Sequence, residues 1–219
     1  MVKRKIIICS ESLRLPQSSP ASVEKFSIDG EAIIGLLKSN LKTLNTKLVE
    51  IEAVGFGGKA EFMAELPFFV MSKFAEYRHV SEGLRIFILA LRDSDTNNTN
   101  KVSGIRRKLA DKIKKMIKEH EFNRVHILFA VQAIEAWILA DEQKVNEYLG
   151  VTNKIKHVND PETIDDPKQV VNNIFRECGR KYTSRELLRL LPQLRVTELL
   201  RCKHFKELCD CVENIARLA

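Results

Sequence analysis

The chain has 219 residues, 44% of them hydrophobic and 30% charged, which is the composition of an ordinary soluble globular protein with a core of its own. No run approaches the roughly 20 apolar residues of a membrane span, and the first apolar run, Ile6–Cys9, is far too short for a signal peptide. Five cysteines, an odd number, favour a reducing compartment, so the cytoplasm is the expected location. The net charge of +7 favours a polyanionic partner such as nucleic acid, although a basic surface is often only a solubility device.

A first strand is predicted at Lys3–Cys9, where a basic lead runs into β-branched residues. The loop that follows is rich in serine and proline and contains Glu11, which can join acids at the end of a neighbouring strand. An exposed loop glutamate is the equally weighted alternative. A helix is predicted from Ser27 onward, with Asp29 as its cap.

A second strand is predicted at Lys47–Val54, followed by the glycine turn Gly55–Lys59 and a long helix that contains Pro67. Such a turn can present backbone amides to a phosphate, and Lys59 would add positive charge. The spacing is not that of a P-loop, so a simple tight turn is the favoured alternative.

A third strand is predicted at Arg85–Asp95, a short apolar run that ends in two aspartates one residue apart. Strand side chains repeat every second residue, so Asp93 and Asp95 are expected to point the same way at the strand's carboxyl end. Paired carboxylates there suit Mg²⁺. The alternative is that both acids only solvate a loop.

A basic helix is predicted next, at Ser103–Glu119, with one apolar face and one densely basic face. The basic face can hold a nucleic-acid backbone through phosphate contacts, or it can simply be solvated.

A fourth strand at Arg124–Val131 is predicted to lead directly into a helix that carries Glu135 near its amino end. Glu135 would again lie at the carboxyl edge of the sheet, where it can bind metal. Stabilisation of the helix dipole is an equally good reason for a glutamate in a first turn.

The alternation of strands and helices predicts an α/β fold with a mostly parallel sheet of about four strands sandwiched by helices. After Gly150 the sequence becomes polar and then leucine-rich. This change predicts an α/β domain at residues 1–150 and a C-terminal loop and helical extension at residues 151–219, packed on that domain.

Two further groups of residues bear on function. Cys202, Cys209 and Cys211 cluster near His204, but the spacing lacks paired zinc-knuckle cysteines, so buried free thiols are the favoured interpretation. The tyrosines, Tyr182 among them, lie far from the acids in sequence, and none is predicted to take part in a covalent step.

The sequence resembles the Toprim-like proteins grouped as domain-of-unknown-function family 4276. The resemblance rests on Asp93 and Asp95, on AIEAWILAD within Ala130–Asp141, on the glycines and lysine of Gly57–Lys59, and on the proline-bearing loop Asp160–Lys168. It covers the whole chain in order, and AIEAWILAD is its most specific part.

The resemblance implies a Toprim-type fold that binds Mg²⁺ or Mn²⁺ for phosphodiester chemistry, in antiviral defence against phage or mobile elements with an ATPase protein partner. It implies metal binding by Asp93, Asp95 and Glu11, with Glu135 as the family's helix glutamate; all four are candidate catalytic residues. DNA is a more expected substrate than RNA, and self-association is left open. The candidate nucleic-acid-binding residues are Lys59, Arg92, Arg106, Arg107, Lys112 and Lys115.

One departure from the family pattern concerns the first strand, because no glycine follows Glu11. The leading hypothesis from the whole pattern is a metal-dependent nuclease, and a missing first-strand glutamate would favour the alternative. The alternative is a catalytically weak or inactive subunit with the same fold, which binds an ATPase or nucleic acid.

Overall fold

The computed structural model of the chain describes residues 2–11, 27–44, 47–78 and 83–218. Four strands form one sheet in the order β2-β1-β3-β4, and all neighbouring strands are parallel. The strands are β1 (Lys3–Ser10), β2 (Val49–Gly55), β3 (Leu84–Asp93) and β4 (Val125–Ala130). The predicted α/β class and the parallel sheet are confirmed.

Helices cover both faces of the sheet. The α-helices are α1 (Ile28–Asn40), α2 (Lys59–Tyr77), α3 (Thr99–Lys114), α4 (Glu119–Phe122), α5 (Glu135–Ala140), α6 (Glu142–Leu149), α7 (Pro167–Glu177), α8 (Ser184–Leu190), α9 (Val196–Leu199) and α10 (Lys203–Arg217). Strand alternation sends Ile6 and Ile8 of β1 into one core, with α1, α5 and the helices after α6. Ile7 and Cys9 enter a second core under α2 and α3.

Pro67 lies inside α2 rather than at its start. Proline has no N–H, so the carbonyl of Met63, four residues earlier, receives no helical hydrogen bond from that position. The Lys112 ammonium on α3 donates to this carbonyl at 3.3 Å. A proline in α2 is thus accommodated by a lysine of the neighbouring helix.

The helix predicted after β4 is divided into α5 and α6 at Asp141. The Asp141 carboxylate accepts a hydrogen bond from the Lys144 amide at 3.2 Å and thereby caps α6. It is fully buried and also contacts Arg195, whose Nη2 lies 2.5 Å from Oδ1. The AIEAWILAD segment therefore anchors the chain that follows α8.

The segment after Gly150 shares a core with the sheet. Trp137 of α5 is fully buried and packs edge-to-face on Phe205 of α10, with ring centroids 5.1 Å apart. The division at residue 150 stays a prediction. The predicted helical extension is interrupted between α9 and α10, where Arg201 donates to the Ala140 carbonyl.

The cysteines near His204 are free thiols, and Cys202 and Cys209 are buried. Burial raises the pKa of the Cys209 thiol to about 12, which opposes metal binding by a thiolate. His204 Nδ1 lies 2.9 Å from the buried carboxylate of Glu162. Within the described parts of the chain, none of the helices combines the length and apolar composition that a bilayer-spanning helix needs.

Candidate functional site

A cavity of about 860 Å³ opens at the carboxyl edge of the parallel sheet, where ligands bind in open α/β folds. The loops after β1, β2, β3 and β4 all contribute to its wall, together with a loop from beyond Gly150. Its polar lining residues are Glu11, Asp29, Lys59, Asp93, Asp95, Thr96, Asn97, Gln132, Asp165, Asp166, Lys168 and Ser184.

Glu11 directly follows β1 and lies next to β3, because β1 and β3 are paired neighbours. Its side chain is only 10% exposed, and within the described parts of the chain neither carboxylate oxygen has a hydrogen-bond partner of normal distance and angle. Arg92 Nε lies 3.6 Å from Oε1, which is an ion pair without a hydrogen bond. Burial raises the pKa of Glu11 to about 7, against the lowering effect of Arg92 and Lys59.

Asp93 is the last residue of β3, and its Oδ1 accepts a hydrogen bond from the Ile134 amide at 3.1 Å. Burial raises the pKa of Asp93 well above its ordinary value, and the charges of Glu135, Asp29 and Glu11 raise it further. The strand-end carboxylate thus lies in an environment with an excess of negative charge.

Asp95 is not part of β3, so the period-two argument for two parallel carboxylates is wrong. The backbone at Asp95 is left-handed, with φ at 51°, and its amide donates to the Gln132 carbonyl at 3.0 Å. Its exposed carboxylate forms an ion pair with Lys59. Asp93 and Asp95 nevertheless line the same cavity.

Hydrogen bonds join the loops after β3 and β4. The Ser94 hydroxyl accepts from the Gln132 amide at 3.0 Å, and the Ser94 amide donates to the Ala130 carbonyl at the same distance. Gln132 is also left-handed, with φ at 62°. Asp95 and Gln132 are not glycines, so the left-handed conformation costs energy at both. The hydrogen bond between their backbones holds Asp95 at the cavity.

Glu135 begins α5 at the carboxyl edge of the sheet, as predicted, but it is buried and does not line the cavity. Burial raises its pKa, while Lys168 lowers it. Tyr182 lies beside Glu135. Among the described residues, its buried hydroxyl has no hydrogen-bond partner of normal distance and angle. Burial and the negative charges of Glu135, Asp29 and Asp93 raise the pKa of Tyr182.

Sequence reasoning therefore missed Tyr182, which is distant from the acids along the chain but adjacent to them in space. The raised pKa keeps its hydroxyl protonated, which favours a hydrogen-bond donor over a nucleophile. No local motif marks it; the signal that could have found it is the proline-bearing loop, which leads the chain back to the site.

Asp29 is also missed, because its predicted role as a helix cap is wrong. Ser27 caps α1 instead, and its hydroxyl accepts from the Gly30 amide at 2.9 Å. The Ser27 hydroxyl also bonds to that of Ser10, which ties the start of α1 to the end of β1. Asp29 lies in the first turn of α1 and lines the cavity.

The proline-bearing loop closes one side of the cavity with Asp165, Asp166 and Lys168. Asp166 adopts a left-handed backbone, with φ at 46°, and caps α7 by accepting from the Gln169 amide at 3.0 Å. Gln132 donates to Asp165 at 3.4 Å, so the loop is joined to the end of β4. The loop Asp160–Lys168, on which the family resemblance partly rests, therefore lines the same cavity as Asp93.

The candidate nucleic-acid-binding residues fall into two groups. Lys59 lines the cavity, and Arg92 lies beside Glu11. The others are on α3, away from the described cavity wall, and two of these are engaged in structure. Arg106 donates to Glu207 of α10 at 3.1 Å, and Lys112 donates to α2, whereas Arg107 and Lys115 are exposed.

The described residues contain no group of three or more histidine, cysteine, aspartate or glutamate side chains in an arrangement that would hold a metal ion. The donor chemistry nevertheless fits a hard cation. Carboxylate oxygens are abundant, and those of Glu11 are buried with no hydrogen-bond partner among the described residues. The charges of Glu135, Asp29, Glu11 and Asp95 raise the pKa of Asp93.

No curated protein and no solved structure matches the chain significantly. A family model, Domain of unknown function (DUF4276), matches residues 18–213 and so includes Asp29, Lys59, Asp93, Asp95, Glu135 and the proline-bearing loop, but not Glu11. This match spans most of the chain, and the chain belongs to the DUF4276 family.

Proposed function

We propose that this protein is a metal-dependent nuclease of the Toprim type, which hydrolyses nucleic-acid phosphodiesters with Mg²⁺ or Mn²⁺. The main support is the meeting of Glu11, Asp93 and Asp95 at one cavity on the carboxyl edge of a parallel sheet. The charges of Glu135 and Asp29 lie close enough to raise the pKa of Asp93. Such a site favours a bound cation, because a cation relieves the repulsion among the acids.

The residues that would hold the metal are Glu11, Asp93 and Asp95. The Glu11 carboxylate supports this assignment, because it is buried and has no hydrogen-bond partner among the described residues, an arrangement that a bound ligand would stabilise. Asp95 would have to exchange its ion pair with Lys59 for the metal. When bound, the metal would activate a water molecule and stabilise the leaving oxygen of the phosphodiester.

The chain's own cations would orient the phosphate. Lys59 begins α2 directly after Gly57 and Gly58, so its ammonium and the first amides of the helix lie on the same wall of the cavity. Lys168 lies at the end of the proline-bearing loop and lines the same cavity. With Lys59 released from Asp95, both lysines can pair with phosphate oxygens.

The Lys59–Asp95 ion pair also supports a second function, that of a catalytically weak or inactive subunit. In that function the ammonium would stay where a metal would bind, and the cavity would serve a binding partner. The family resemblance suggests an ATPase partner and a role in defence against phage or mobile elements for either function.

The deciding experiment measures Mn²⁺ binding by calorimetry and cleavage of labelled DNA for the wild type and for Asp93→Asn. The nuclease proposal expects Mn²⁺-dependent cleavage by the wild type and a loss of at least about a hundredfold in the variant. Asp210→Asn removes an exposed acid on α10 and should leave both unchanged.

Three outcomes are distinguishable. Cleavage that persists undiminished in both Asp93→Asn and Glu11→Gln would contradict the proposed site. Mn²⁺ binding by the wild type without cleavage would favour the inactive subunit. A wild type that neither binds Mn²⁺ nor cleaves would overturn the metal-dependent function altogether.

A further inference from the structure

We propose that the outer surface formed by α2 and α3 binds single-stranded nucleic acid, with the backbone along three lysines of α3 and a base stacked on Phe68 of α2. This proposal rests on the proposed function only in taking nucleic acid as the substrate. It adds that the substrate is single-stranded and that it extends from the cavity over the surface of α2 and α3.

The lysines form a straight row. Lys101, Lys108 and Lys115 are spaced at seven-residue intervals, close to two helical turns, so they lie on one side of α3 and span about 21 Å. All three are exposed. Among the candidate residues on α3, Arg106 and Lys112 are held by other contacts, whereas Arg107 is exposed like the lysines of the row.

The aromatic part of the surface is Phe68. Its side chain is 61% exposed, the highest value among the large hydrophobic residues of the described chain, and Met71 three residues later is 38% exposed. Phe56, Phe62 and Phe74 are by contrast buried in the core beneath. A solvent-exposed phenylalanine beside a basic row is the combination that single strands use, because unpaired bases stack on aromatic rings.

The two helices place these features side by side. Gly58, just before α2, and Asn97, two residues before α3, both line the cavity, so both helices run from its rim. The helices pack against each other, and Lys112 joins them at Met63, five residues before Phe68. On this proposal, a strand whose phosphate lies at Lys59 continues from the cavity rim over Phe68 and the lysine row.

Charge favours a polyanion over a second copy of the chain on this surface. The acids of this surface are Glu61, Glu65 and Glu76 on α2, of which Glu76 pairs with Lys73, and Asp111 on α3. The helix α3 carries six basic residues against that one acid between Thr99 and Lys114. Two such faces would repel each other across a two-fold axis. A phosphate backbone is the complementary partner.

The test measures binding of a fluorescein-labelled oligothymidylate, and of a duplex of equal length, by anisotropy in EDTA, where cleavage does not interfere. Phe68→Ala should weaken binding of the single strand about tenfold and binding of the duplex by less than about twofold. Replacing Lys101, Lys108 and Lys115 with glutamine should reduce the salt dependence of single-strand binding by about two in log–log slope.

Matched controls use the same substitutions elsewhere. Leu200→Ala removes another exposed apolar side chain, and glutamine at Lys38, Lys42 and Lys47 removes three exposed lysines; neither should change binding. Equal weakening of single strand and duplex by Phe68→Ala would overturn the stacking proposal. So would a dimer, detected by light scattering, that Phe68→Ala converts to a monomer.

The binding assay contains no metal, so its outcome is separate from that of the nuclease proposal. Loss of cleavage in Asp93→Asn with unaltered binding in Phe68→Ala would keep the nuclease and reject the surface. The reverse pattern would keep the surface and reject the nuclease.

Discussion

Burial raises the pKa of the Glu11 carboxylate close to neutral pH. Its folded-state pKa is raised to about 7 from 4.5, so the native protein binds this proton more tightly than the unfolded chain does. The stabilisation is complete below the unfolded value and is lost as the pH rises through the folded one. Burial raises the pKa values of Asp93 and Glu135 as well, and the charges of nearby acids raise that of Asp93 further.

We expect the metal-free protein in EDTA to lose stability as the pH rises from about 5 to 8, with up to about 3 kcal/mol of the loss due to Glu11. Glu11→Gln cannot ionise, so the pH dependence of its free energy of unfolding should be smaller. Denaturant titrations at several pH values measure this difference. A variant that kept the full wild-type pH dependence would contradict the assignment to Glu11.

At the scale of elements, Asp141 joins the α5–α6 junction to the chain after α8. Its fully buried carboxylate is paired with Arg195, whose side chain is 43% exposed. Removal of the arginine would leave a buried negative charge with only the amides of Lys144 and residue 195 as partners. The cost of that change falls on the folded state, because the same carboxylate is hydrated in the unfolded chain.

We expect Arg195→Ala to reduce the free energy of unfolding by about 3 kcal/mol. Arg189→Ala removes a guanidinium from a side chain that is 61% exposed, and we expect a change of less than about 0.5 kcal/mol. Urea denaturation followed by circular dichroism measures both values. Similar losses in the two variants would show that the buried ion pair is not the cause.

At the scale of the whole molecule, one hydrophobic core extends from the sheet to the last helix. Residues of β1, α1 and α5 share this core with Val171, Phe175 and Phe205 of the segment after Gly150. A chain cut at residue 150 would expose the side of Trp137 that Phe205 covers. Residues 1–150 alone therefore lack part of the core that their own sheet needs.

We expect the fragment 1–150 to be a loosely packed species, with emission of Trp137, the only tryptophan of the chain, shifted to longer wavelength than in the full protein. Fluorescence and near-ultraviolet circular dichroism of both proteins measure this. Native-like emission together with a cooperative unfolding transition in the fragment would favour two independent domains.

The sequence was sufficient to predict the order of the elements, because the buried strands and the amphipathic helices carry their own periodicity. It also indicated Glu11, Asp93 and Glu135, since acids after parallel strands meet at one edge of the sheet. Asp29 and Tyr182 were missed, because their positions depend on how α1 and the chain before α8 pack, and only the proline-bearing loop pointed towards Tyr182. Asp95 was predicted at the site for the wrong reason, since its left-handed backbone depends on Gln132 from another loop.

The last residues to complete the cavity wall come late in the chain. The acids at Glu11, Asp29, Asp93 and Asp95 precede Lys168 and Ser184, which line the same cavity. Since translation proceeds from the amino end, a nascent chain carries the acids long before the wall that encloses them has left the ribosome. The cavity wall is thus completed only after residues 165–184 have emerged, so Glu11, Asp29, Asp93 and Asp95 are synthesised before Asp165, Asp166 and Lys168 can enclose them.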